Sequence, residues 1–267
     1  MHNRFPLANV HPDAQIGERV TIEPFATVQK DVVIGDDSWI GPNAVVWDGA
    51  RLGKHVKIYP GASVSSIPQD LKFSGEKTET HIGDNTVVRE CVTISRGTKD
   101  KYKTVIGKNC LLMAYVHVAH DCIIGNHCIL VNTVQVAGHV TIDDWAIIGG
   151  ASALHQFVKV GAHVMISGGS LVRKDVPPFT KAAREPLAYA GINSVGLKRR
   201  GFSAEKINEI QEIYRYIFLK GLNNSKAIDL VEREIPESIE RSYILDFVRG
   251  SERGIMKGFT ANGAVAE

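Results

Sequence analysis

Large aliphatic residues recur at every sixth position along most of this chain. From Val10 to Val172 the six-residue grid has 28 positions, and 25 of them hold Val, Ile or Leu. The three exceptions, Asp70, Glu76 and Asp100, fall inside two polar segments rich in turn-forming residues. A period of six fits neither an isolated amphipathic helix nor an alternating strand, so it indicates a repeated supersecondary unit.

Each unit of six residues predicts a short strand followed by a corner. The aliphatic residue points inward, and the residue four places later is often small, as at Ala44 and Cys128, which lets the chain turn. Glycine often follows the aliphatic residue directly, where we expect a turn with positive φ. Three strands close one triangular coil of about eighteen residues, and stacked coils form parallel sheets. The pattern therefore predicts an all-β, prism-shaped parallel β-helix.

The same grid predicts the domain organisation. The β-helix occupies residues 1–178, with loops inserted at about 65–81 and 95–105, where the repeat is interrupted. Loops on a rigid scaffold often carry function. A Val-Pro-Pro sequence ends the repeat because proline cannot donate a hydrogen bond to a sheet. A connector over 179–202 then leads to a helical C-terminal domain over 203–267.

Apolar residues spaced three to four apart predict three α-helices in the C-terminal domain. The first follows Ser203 as its N-cap and stops at Gly221. The other two cover about 225–234 and 237–249. We expect the tail from about residue 255 to be frayed.

Charge and cysteine content exclude several classes of protein. A net charge of +2 provides no global field for binding nucleic acid. The N-terminal segment lacks the apolar stretch of a signal peptide and no apolar run could span a bilayer, which predicts a cytoplasmic protein without stable membrane insertion. The four cysteines show no C-x-x-C spacing, so we expect free thiols and no zinc cluster.

Stacking of the coils predicts where polar residues meet. His120, Gly138 and Gln156 occupy the same position on three successive coils, about 4.8 Å apart, and Asp121 and His139 form the adjacent column. A histidine beside a backbone N–H of the next coil can act as a general base next to an oxyanion donor. Spacing alone leaves open that these are solvated corner side chains or histidines buried in a subunit interface.

Longer motifs are more specific than any single unit. In chain order they are HIGDNTVVRECVTISRGT, LLMAYVHVAHDCIIGNHCIL, AGHVTIDDWAIIGG, LHQFVKVGAHVM, DVPPF and GLKRRGF, with QDLK at 69–72 and a helical C-terminus. Over essentially the whole chain this set resembles the UDP-N-acetylglucosamine O-acyltransferase family, which performs the first step of lipid A biosynthesis. The resemblance implies a left-handed β-helix, a hand opposite to that of the usual crossover connection.

The resemblance also implies a reaction and an assembly. His120 would deprotonate the glucosamine 3-hydroxyl, which attacks the thioester of an (R)-3-hydroxyacyl chain on acyl carrier protein. The N–H of Gly138 would stabilise the oxyanion, and Asp121 could orient His120, although adjacent residues usually point apart. The implied enzyme is a homotrimer with its sites between adjacent prisms, and it needs no metal or organic cofactor because the carrier-protein thioester is a co-substrate.

Several binding residues follow from the resemblance. Asp70 would contact the sugar and Lys72 would position the substrate, both reaching in from a neighbouring subunit. His139 and Gln156 match positions that contact the nucleotide sugar, and His117 matches a further position in the site.

Other matched residues lie later in the chain. Gly168 corresponds to a position that limits the depth of the acyl chain, and glycine there leaves room for a long chain. Asn193 and Arg200 become candidates for contact with the nucleotide. Arg199 would belong to a basic patch that receives the acidic acyl carrier protein.

The chain departs from the family pattern in two places. Ser95 replaces a histidine that is common in the family, which removes or replaces one accessory contact. The segment 183–193 diverges as well, which affects the chain-length limit and part of the uridine contact but leaves the acyl transfer unaffected.

Three other functions are compatible with the pattern. One is an N-acyltransferase of a later lipid A step, although that family adds an N-terminal uridine-binding domain. Another is a β-helical carbonic anhydrase with zinc on His117, His120 and His139. The third is a non-catalytic scaffold, for which a His120→Ala substitution would leave activity unchanged.

Overall fold

The computed structural model describes residues 5–258, and their main body is a three-sided prism of parallel strands. The first sheet contains β1 (Asn9–Val10), β4 (Thr27–Val28), β7 (Val45–Val46), β10 (Ser63–Ser66), β13 (Thr93–Ser95), β16 (His117–Val118), β19 (Gln135–Val136), β22 (Ala153–Leu154) and β25 (Leu171–Val172). The second contains β2 (Gln15–Ile16), β5 (Val33–Ile34), β8 (Ala50–Leu52), β11 (Glu79–Ile82), β14 (Lys103–Ile106), β17 (Ile123–Ile124), β20 (Thr141–Ile142) and β23 (Lys159–Val160). The third contains β3 (Thr21–Ile22), β6 (Trp39–Ile40), β9 (Lys57–Ile58), β12 (Val87–Val88), β15 (Leu111–Leu112), β18 (Ile129–Leu130), β21 (Ile147–Ile148), β24 (Met165–Ile166), β26 (Thr180–Ala183) and β27 (Ala188–Ile192).

The register of the sheets follows the six-residue grid. In the regular coils each strand pairs with the strand one full coil later, as Val118 pairs with Val136 and Val136 with Leu154. The fold is a left-handed parallel β-helix with a C-terminal helical region, so the predicted fold class is confirmed. We call the edge between the first and second sheets the first corner, and the edge between the second and third sheets the second corner.

The interior of the prism is filled by the grid residues. Every aliphatic grid residue from Ile22 to Val172 is buried, whereas Val10 and Ile16 near the start of the prism are only partly buried. The small residues four places later fill the corners from inside. They include three buried cysteines, and all four cysteines of the chain are free, as predicted: Cys91, Cys110, Cys122 and Cys128.

The prediction of positive φ at the glycines is wrong. Positive φ falls instead at the third position after the grid residue, where Asp121 has φ 59° and His139 has φ 63°. The glycine directly after the grid residue is required by close stacking, since a Cβ on Gly35 would lie 2.5 Å from the carbonyl carbon of Gly53 in the next coil. The corner residue is therefore a side chain held in the left-handed region, where L-residues are uncommon.

The two interruptions of the grid are loops, but the strands extend into them. Strand β10 continues to Ser66 and β11 begins at Glu79, which leaves a loop over 67–78. The second loop covers 96–102, between β13 and β14. Both loops leave the first sheet and enter the second, so both project from the first corner, on successive coils.

The predicted connector contains regular structure that the sequence pattern did not predict. Strand β26 continues the third sheet by pairing in parallel with β24, and β27 returns antiparallel to it. A short helix, α1 (Ser194–Arg199), follows the hairpin. The division of the chain into domains stays a prediction.

Three longer helices follow, near the predicted positions. They are α2 (Ala204–Leu219), α3 (Asn224–Glu234) and α4 (Ile239–Arg249). Ser203 caps α2 as predicted, and the helix ends at Leu219, with Lys220 as its C-cap and the predicted stop Gly221 directly after it at φ 65°. The helices contact the prism through polar side chains, including a partly buried hydrogen bond of 2.7 Å from the Tyr243 hydroxyl to Asp143.

The beginning of the predicted frayed tail is ordered against the prism. Ile255 and Met256 are buried, and Ile255 forms a β-bridge with Asp175. The remainder of that prediction, from residue 259, lies outside the described residues. Between residues 5 and 258, no helix has the length and apolarity needed to cross a membrane.

Candidate active site

Three successive coils bring the predicted polar residues together at the first corner. His120 and Asp121 follow β16, Gly138 and His139 follow β19, and Gln156 follows β22. These three strands pair in register, so residues one coil apart lie directly above one another.

The imidazole of His120 is held between a carboxylate and a glycine. Its Nδ1 lies 2.9 Å from Asp121 Oδ2, and only 6% of the residue is exposed. A Cβ at position 138 would lie 2.8 Å from His120 Nε2, so only glycine lets the imidazole approach the backbone of the next coil so closely. No acceptor for the N–H of Gly138 occurs among residues 5–258, which leaves this donor available to a ligand.

Asp121 is a fully buried carboxylate with every acceptor position used by the chain itself. Oδ1 accepts hydrogen bonds from the N–H groups of Thr98, at 3.0 Å, and Lys101, at 3.2 Å. Oδ2 accepts from the Thr98 hydroxyl at 2.6 Å and faces His120 Nδ1. Burial raises the pKa of Asp121, but the hydrogen bonds from Thr98 and His120 outweigh it, and the pKa stays below the ordinary carboxyl value. Asp121 is therefore ionised at neutral pH and can only accept.

His139 completes the cluster from the next coil. Its ring stacks on Phe157, with 4.5 Å between centroids, and meets the ring of His120 edge-on at 5.0 Å. One nitrogen lies 3.1 Å from Asp100 Oδ2 and the other 4.0 Å from Asp121 Oδ2. The ring of His139 therefore lies between Asp121 at the first corner and Asp100 in the second loop.

Two cavities are lined by these side chains. One of about 340 Å³ is lined by His117, His120, Gly138 and Gln156, among others. In this cavity, Nδ1 of His117 is hydrogen-bonded to the Thr93 hydroxyl at 2.8 Å. Burial lowers the pKa of His117, and the nearby charge of His120 lowers it further. The other cavity, of about 250 Å³, is lined by residues of both loops and the corner: Asp70, Lys72, Glu76, Thr98, Lys99, Asp100, His139 and Phe157.

A larger cavity, of about 520 Å³, lies further down the prism beneath the first loop. It is lined by charged residues of both signs, among them Asp31, Lys77 and Arg96, and by none of the predicted site residues. Size alone therefore does not mark the site; the imidazoles and the buried carboxylate do.

The first loop reaches the site of its own chain. Asp70 Oδ2 lies 4.0 Å from Nε2 of His120, and Lys72 lines the cavity beside His139 of the same chain. The expectation that this loop reaches in from a neighbouring subunit is therefore corrected. The physical reason is that the loop leaves the prism at the first corner, two coils before His120, and folds along that same edge.

Four predicted residues lie away from this cluster. Gly168 sits at the edge between the third and first sheets, where a Cβ would lie 3.0 Å from the carbonyl oxygen of Gly150. Asn193 caps α1 and donates to the carbonyl oxygen of His163 at 2.9 Å.

Arg199 is the last residue of the same short helix, and Arg200 is its C-cap. Arg199 is exposed, while Arg200 lies over the ring of Trp145 at the second corner, 5.2 Å from its centroid, and donates to its carbonyl oxygen at 3.2 Å. Within one chain these residues and the His120 cluster occupy different edges of the prism.

The side chains at the first corner include one set with metal-ligand chemistry. Among residues 5–258, His120, Asp121 and His139 offer ligand atoms within 4.8 Å of one another. The zinc alternative requires His117 in place of Asp121, and His117 is not part of this set. Asp121 is already saturated by donors from the chain, which fits a hydrogen-bonded carboxylate better than a metal ligand.

Sequence reasoning missed Thr98, Lys101 and Phe157, all of which contact Asp121 or His139. A signal for the first two was present. Val64 and Ile94, which precede the two interruptions, belong to the same sheet as Val118, so both loops had to emerge on the edge that carries His120.

Comparison with known proteins shows which family the chain resembles. The family model "Udp N-acetylglucosamine O-acyltransferase; Domain 2" matches residues 175–256, and the bacterial transferase hexapeptide model matches 31–66 and 103–138. Acyl-[acyl-carrier-protein]–UDP-N-acetylglucosamine O-acyltransferase of Thiobacillus denitrificans is 43% identical over 253 residues, which is 94% of this chain and 98% of that protein. The enzyme of the same name from Stutzerimonas stutzeri is 39% identical over 94% of this chain and 98% of its own length.

Solved structures lead to the same family. A UDP-N-acetylglucosamine acyltransferase from Bacteroides fragilis superposes with a TM-score of 0.93 at 53% identity, covering 94% of this chain and 99% of that one. One from Arabidopsis gives a TM-score of 0.80 at 33% identity, covering 94% and 99%. With relatives this similar over nearly their whole length, the chain belongs to the family of acyl-[acyl-carrier-protein]–UDP-N-acetylglucosamine O-acyltransferases.

Proposed function

We propose that this protein transfers an (R)-3-hydroxyacyl chain from acyl carrier protein to the 3-hydroxyl of UDP-N-acetylglucosamine, the first step of lipid A biosynthesis. The relatives named for this activity support the substrates and the reaction type. The observation that carries the chemistry is the placement of His120, with Nδ1 2.9 Å from a buried carboxylate and Nε2 packed against Gly138, whose N–H has no acceptor among residues 5–258.

In the proposed reaction, His120 acts as the general base. Because an ionised carboxylate only accepts hydrogen bonds, Asp121 holds the proton on Nδ1, and the lone pair of Nε2 is free to take the proton of the sugar hydroxyl. The sugar oxygen then forms a bond to the thioester carbon, and the N–H of Gly138 stabilises the resulting oxyanion. When the tetrahedral intermediate collapses, the carbon–sulfur bond breaks, and the imidazolium returns its proton to the departing thiolate.

The remaining residues at the first corner would bind the substrates. Asp70 and Lys72 lie where they can contact the sugar and its phosphates, and His117, His139 and Gln156 surround the same two cavities. The pathway requires no metal or organic cofactor.

Assembly as a homotrimer would bring the other predicted residues into use. Gly168, Asn193, Arg199 and Arg200 lie on different edges from His120 in one chain, so a neighbouring prism must supply them if they contact the same substrate. We place the nucleotide against Asn193 and Arg200, the acyl chain toward Gly168 and the carrier protein near Arg199. We place the reaction in the cytoplasm.

Incubation with UDP-N-acetylglucosamine and acyl carrier proteins bearing 3-hydroxyacyl chains of graded length tests the proposal. We expect an ester at the 3-hydroxyl, identified by mass spectrometry and NMR, and one preferred chain length. An amide formed on a 2-amino sugar acceptor, with no ester, would instead support the N-acyltransferase. Light scattering gives the oligomeric state, and a monomer that retains full activity would remove the intersubunit site.

A further inference from the structure

The hydroxyl of Thr98 occupies a position in the site to which neither the motifs nor the mechanism above gives a role. It donates to Asp121 Oδ2 at 2.6 Å, while the N–H of the same residue donates to Oδ1 at 3.0 Å. Thr98 is only 6% exposed, so water does not readily replace it. One residue of the second loop therefore holds both oxygens of the carboxylate that faces His120.

Holding both oxygens fixes the plane of the carboxylate. Rotation about the bond to the carboxyl group would break the two Thr98 hydrogen bonds together with that from the N–H of Lys101. The backbone at Asp121 is fixed as well, because its N–H donates to the Thr104 hydroxyl at 2.9 Å. Oδ2 therefore remains directed at His120 Nδ1, at 2.9 Å.

We propose that Thr98 is a positioning residue that keeps His120 in the Nδ1-protonated tautomer by clamping Asp121. The inference rests on the proposed function, since only that tautomer presents a free Nε2 lone pair beside Gly138. Without the hydroxyl, Oδ2 loses one of its two donors while the two backbone N–H groups still hold Oδ1. Oδ2 can then swing about Oδ1 and away from Nδ1, so the other tautomer of His120 becomes populated. The imidazole then presents an N–H where the reaction needs a base.

A Thr98→Val substitution removes the hydroxyl and keeps the size, the β-branching and the backbone N–H. We expect kcat to fall about 10-fold with KM for both substrates within about 2-fold, because the shorter of the two hydrogen bonds lost, at 2.6 Å, acts on the base, and the other, accepted from the N–H of Asp100, is 3.3 Å long. Thr98→Ser, which keeps the hydroxyl, should restore kcat to within about 2-fold of the wild type.

Thr86→Val is the matched control. Thr86 is also buried and lies at the second corner. Its hydroxyl donates to the carbonyl oxygen of Gly107 and accepts from the N–H of Cys110. Its loss should lower the free energy of unfolding and leave kcat unchanged. If Thr98→Val does not fold, Thr98→Cys, a weaker donor, takes its place with a smaller loss in kcat expected.

¹⁵N NMR of protein that carries ¹⁵N-labelled histidine identifies the tautomer directly and needs no substrate. The signals of His120 are assigned by their loss in His120→Gln. We expect Nδ1–H in the wild type and in Thr98→Ser, and a mixture of tautomers in Thr98→Val. Thr86→Val should keep the wild-type spectrum.

The two proposals fail in different ways. A wild-type protein that forms no ester removes the proposed function, while the NMR comparison still decides the positioning by Thr98. An active wild type with an unchanged His120 tautomer in Thr98→Val overturns the positioning, whatever happens to the rate. A loss of rate that Thr98→Ser does not rescue also overturns it.

Discussion

The first and second corners of the prism carry imidazoles at similar positions in the repeat, yet they hold them in different ways. At the second corner the rings of His127, Trp145 and His163 stack in a column, with 3.9 Å and 6.3 Å between successive centroids. At the first corner the column begins with Asp121, and the imidazole of His120 turns to its carboxylate. The two corners have the same backbone scaffold. They differ in what each imidazole contacts, which is a carboxylate at the first corner and other rings at the second.

That difference changes what an imidazole can do. Nδ1 of His163 is buried and lacks a hydrogen-bond partner within residues 5–258, and burial together with nearby Arg200 lowers the pKa of His163 to about 4. This ring stays neutral and acts as a stacking surface. His120 has an ionised acceptor on one nitrogen and a cavity near the other. A corner histidine becomes a candidate base only where the chain supplies it with a buried acceptor.

The sharpest test of this comparison is removal of one imidazole from each corner. We expect His120→Ala to reduce kcat by roughly 10²–10⁴-fold, the range of general-base contributions, with the assembly retained. His127→Ala at the second corner should keep kcat within about 2-fold. Steady-state acyl-transfer assays decide the point, and a His120→Ala enzyme at near-normal rate would remove His120 from its role.

Removal of the charge on the acceptor should have the next largest effect. We expect Asp121→Asn to lower kcat by roughly 10²-fold, since the amide can no longer hold His120 in one tautomer and leaves a buried network short of acceptors. Asp144→Asn is the control at the second corner, where that carboxylate accepts from the N–H of Asn126 at 2.7 Å. Equal losses of kcat in the two variants would contradict a special role for Asp121.

A smaller effect concerns the pH dependence of stability at the second corner. The pKa of His163 is about 4 in the folded chain and has its ordinary value, near 6.5, in the unfolded chain, so the unfolded state binds the proton more readily. The stability that depends on a neutral His163 is complete above pH 6.5 and is lost as the pH falls toward 4. Because the imidazole is partly exposed, solvent screening limits this loss to about 1–2 kcal/mol.

Urea unfolding of the wild type and of His163→Phe at pH 7.5 and pH 4.5 measures that loss. Phenylalanine preserves the stacking and cannot be protonated, so the wild type should lose more stability than the variant over this interval. An identical change in both proteins would show that His163 titrates normally in the folded state.

The smallest expected effect is at an imidazole of the first corner that has no carboxylate partner in the described part of the chain, residues 5–258. His155 is exposed, and its Nδ1 lies 3.1 Å from the carbonyl oxygen of Gln156. We expect His155→Ala to change kcat and KM by less than about 2-fold in the same assay. A large loss would mean that position on the corner, and not the acceptor, selects the catalytic imidazole.

Much of this arrangement follows from the sequence because the repeat is strict. The spacing of His120 and Gly138 predicted their contact, since residues one coil apart must stack. The hydrogen bond between His120 and Asp121 was harder to predict, because neighbouring residues usually point apart. The left-handed backbone at Asp121, φ 59°, turns its side chain to the same side as His120. Aspartate favours that region more than most residues do, but the repeat pattern predicted positive φ at the glycines, so this turn was missed.

The contributions of the loops could be predicted only in part. The grid gives the edge from which 67–78 and 96–102 emerge, but not their path, because neither loop contains a repeat. The contacts of Asp70 with His120 and of Thr98 with Asp121 depend on that path. The hairpin β26–β27 was missed for a related reason: its strands have no six-residue period and are recognisable only by their pairing with β24 and with each other.

The close backbone contact at Gly35 and its counterparts determines where this protein can change during evolution. A residue inserted into or deleted from a regular coil would shift every later side chain out of phase with the coil below and turn aliphatic groups toward water. Insertions at the two loops leave the ladder intact, as the pairing of Val64 with Ile94 across one of them demonstrates. New substrate specificities are therefore expected to arise by lengthening or exchanging those two loops, while the prism that carries them keeps its length.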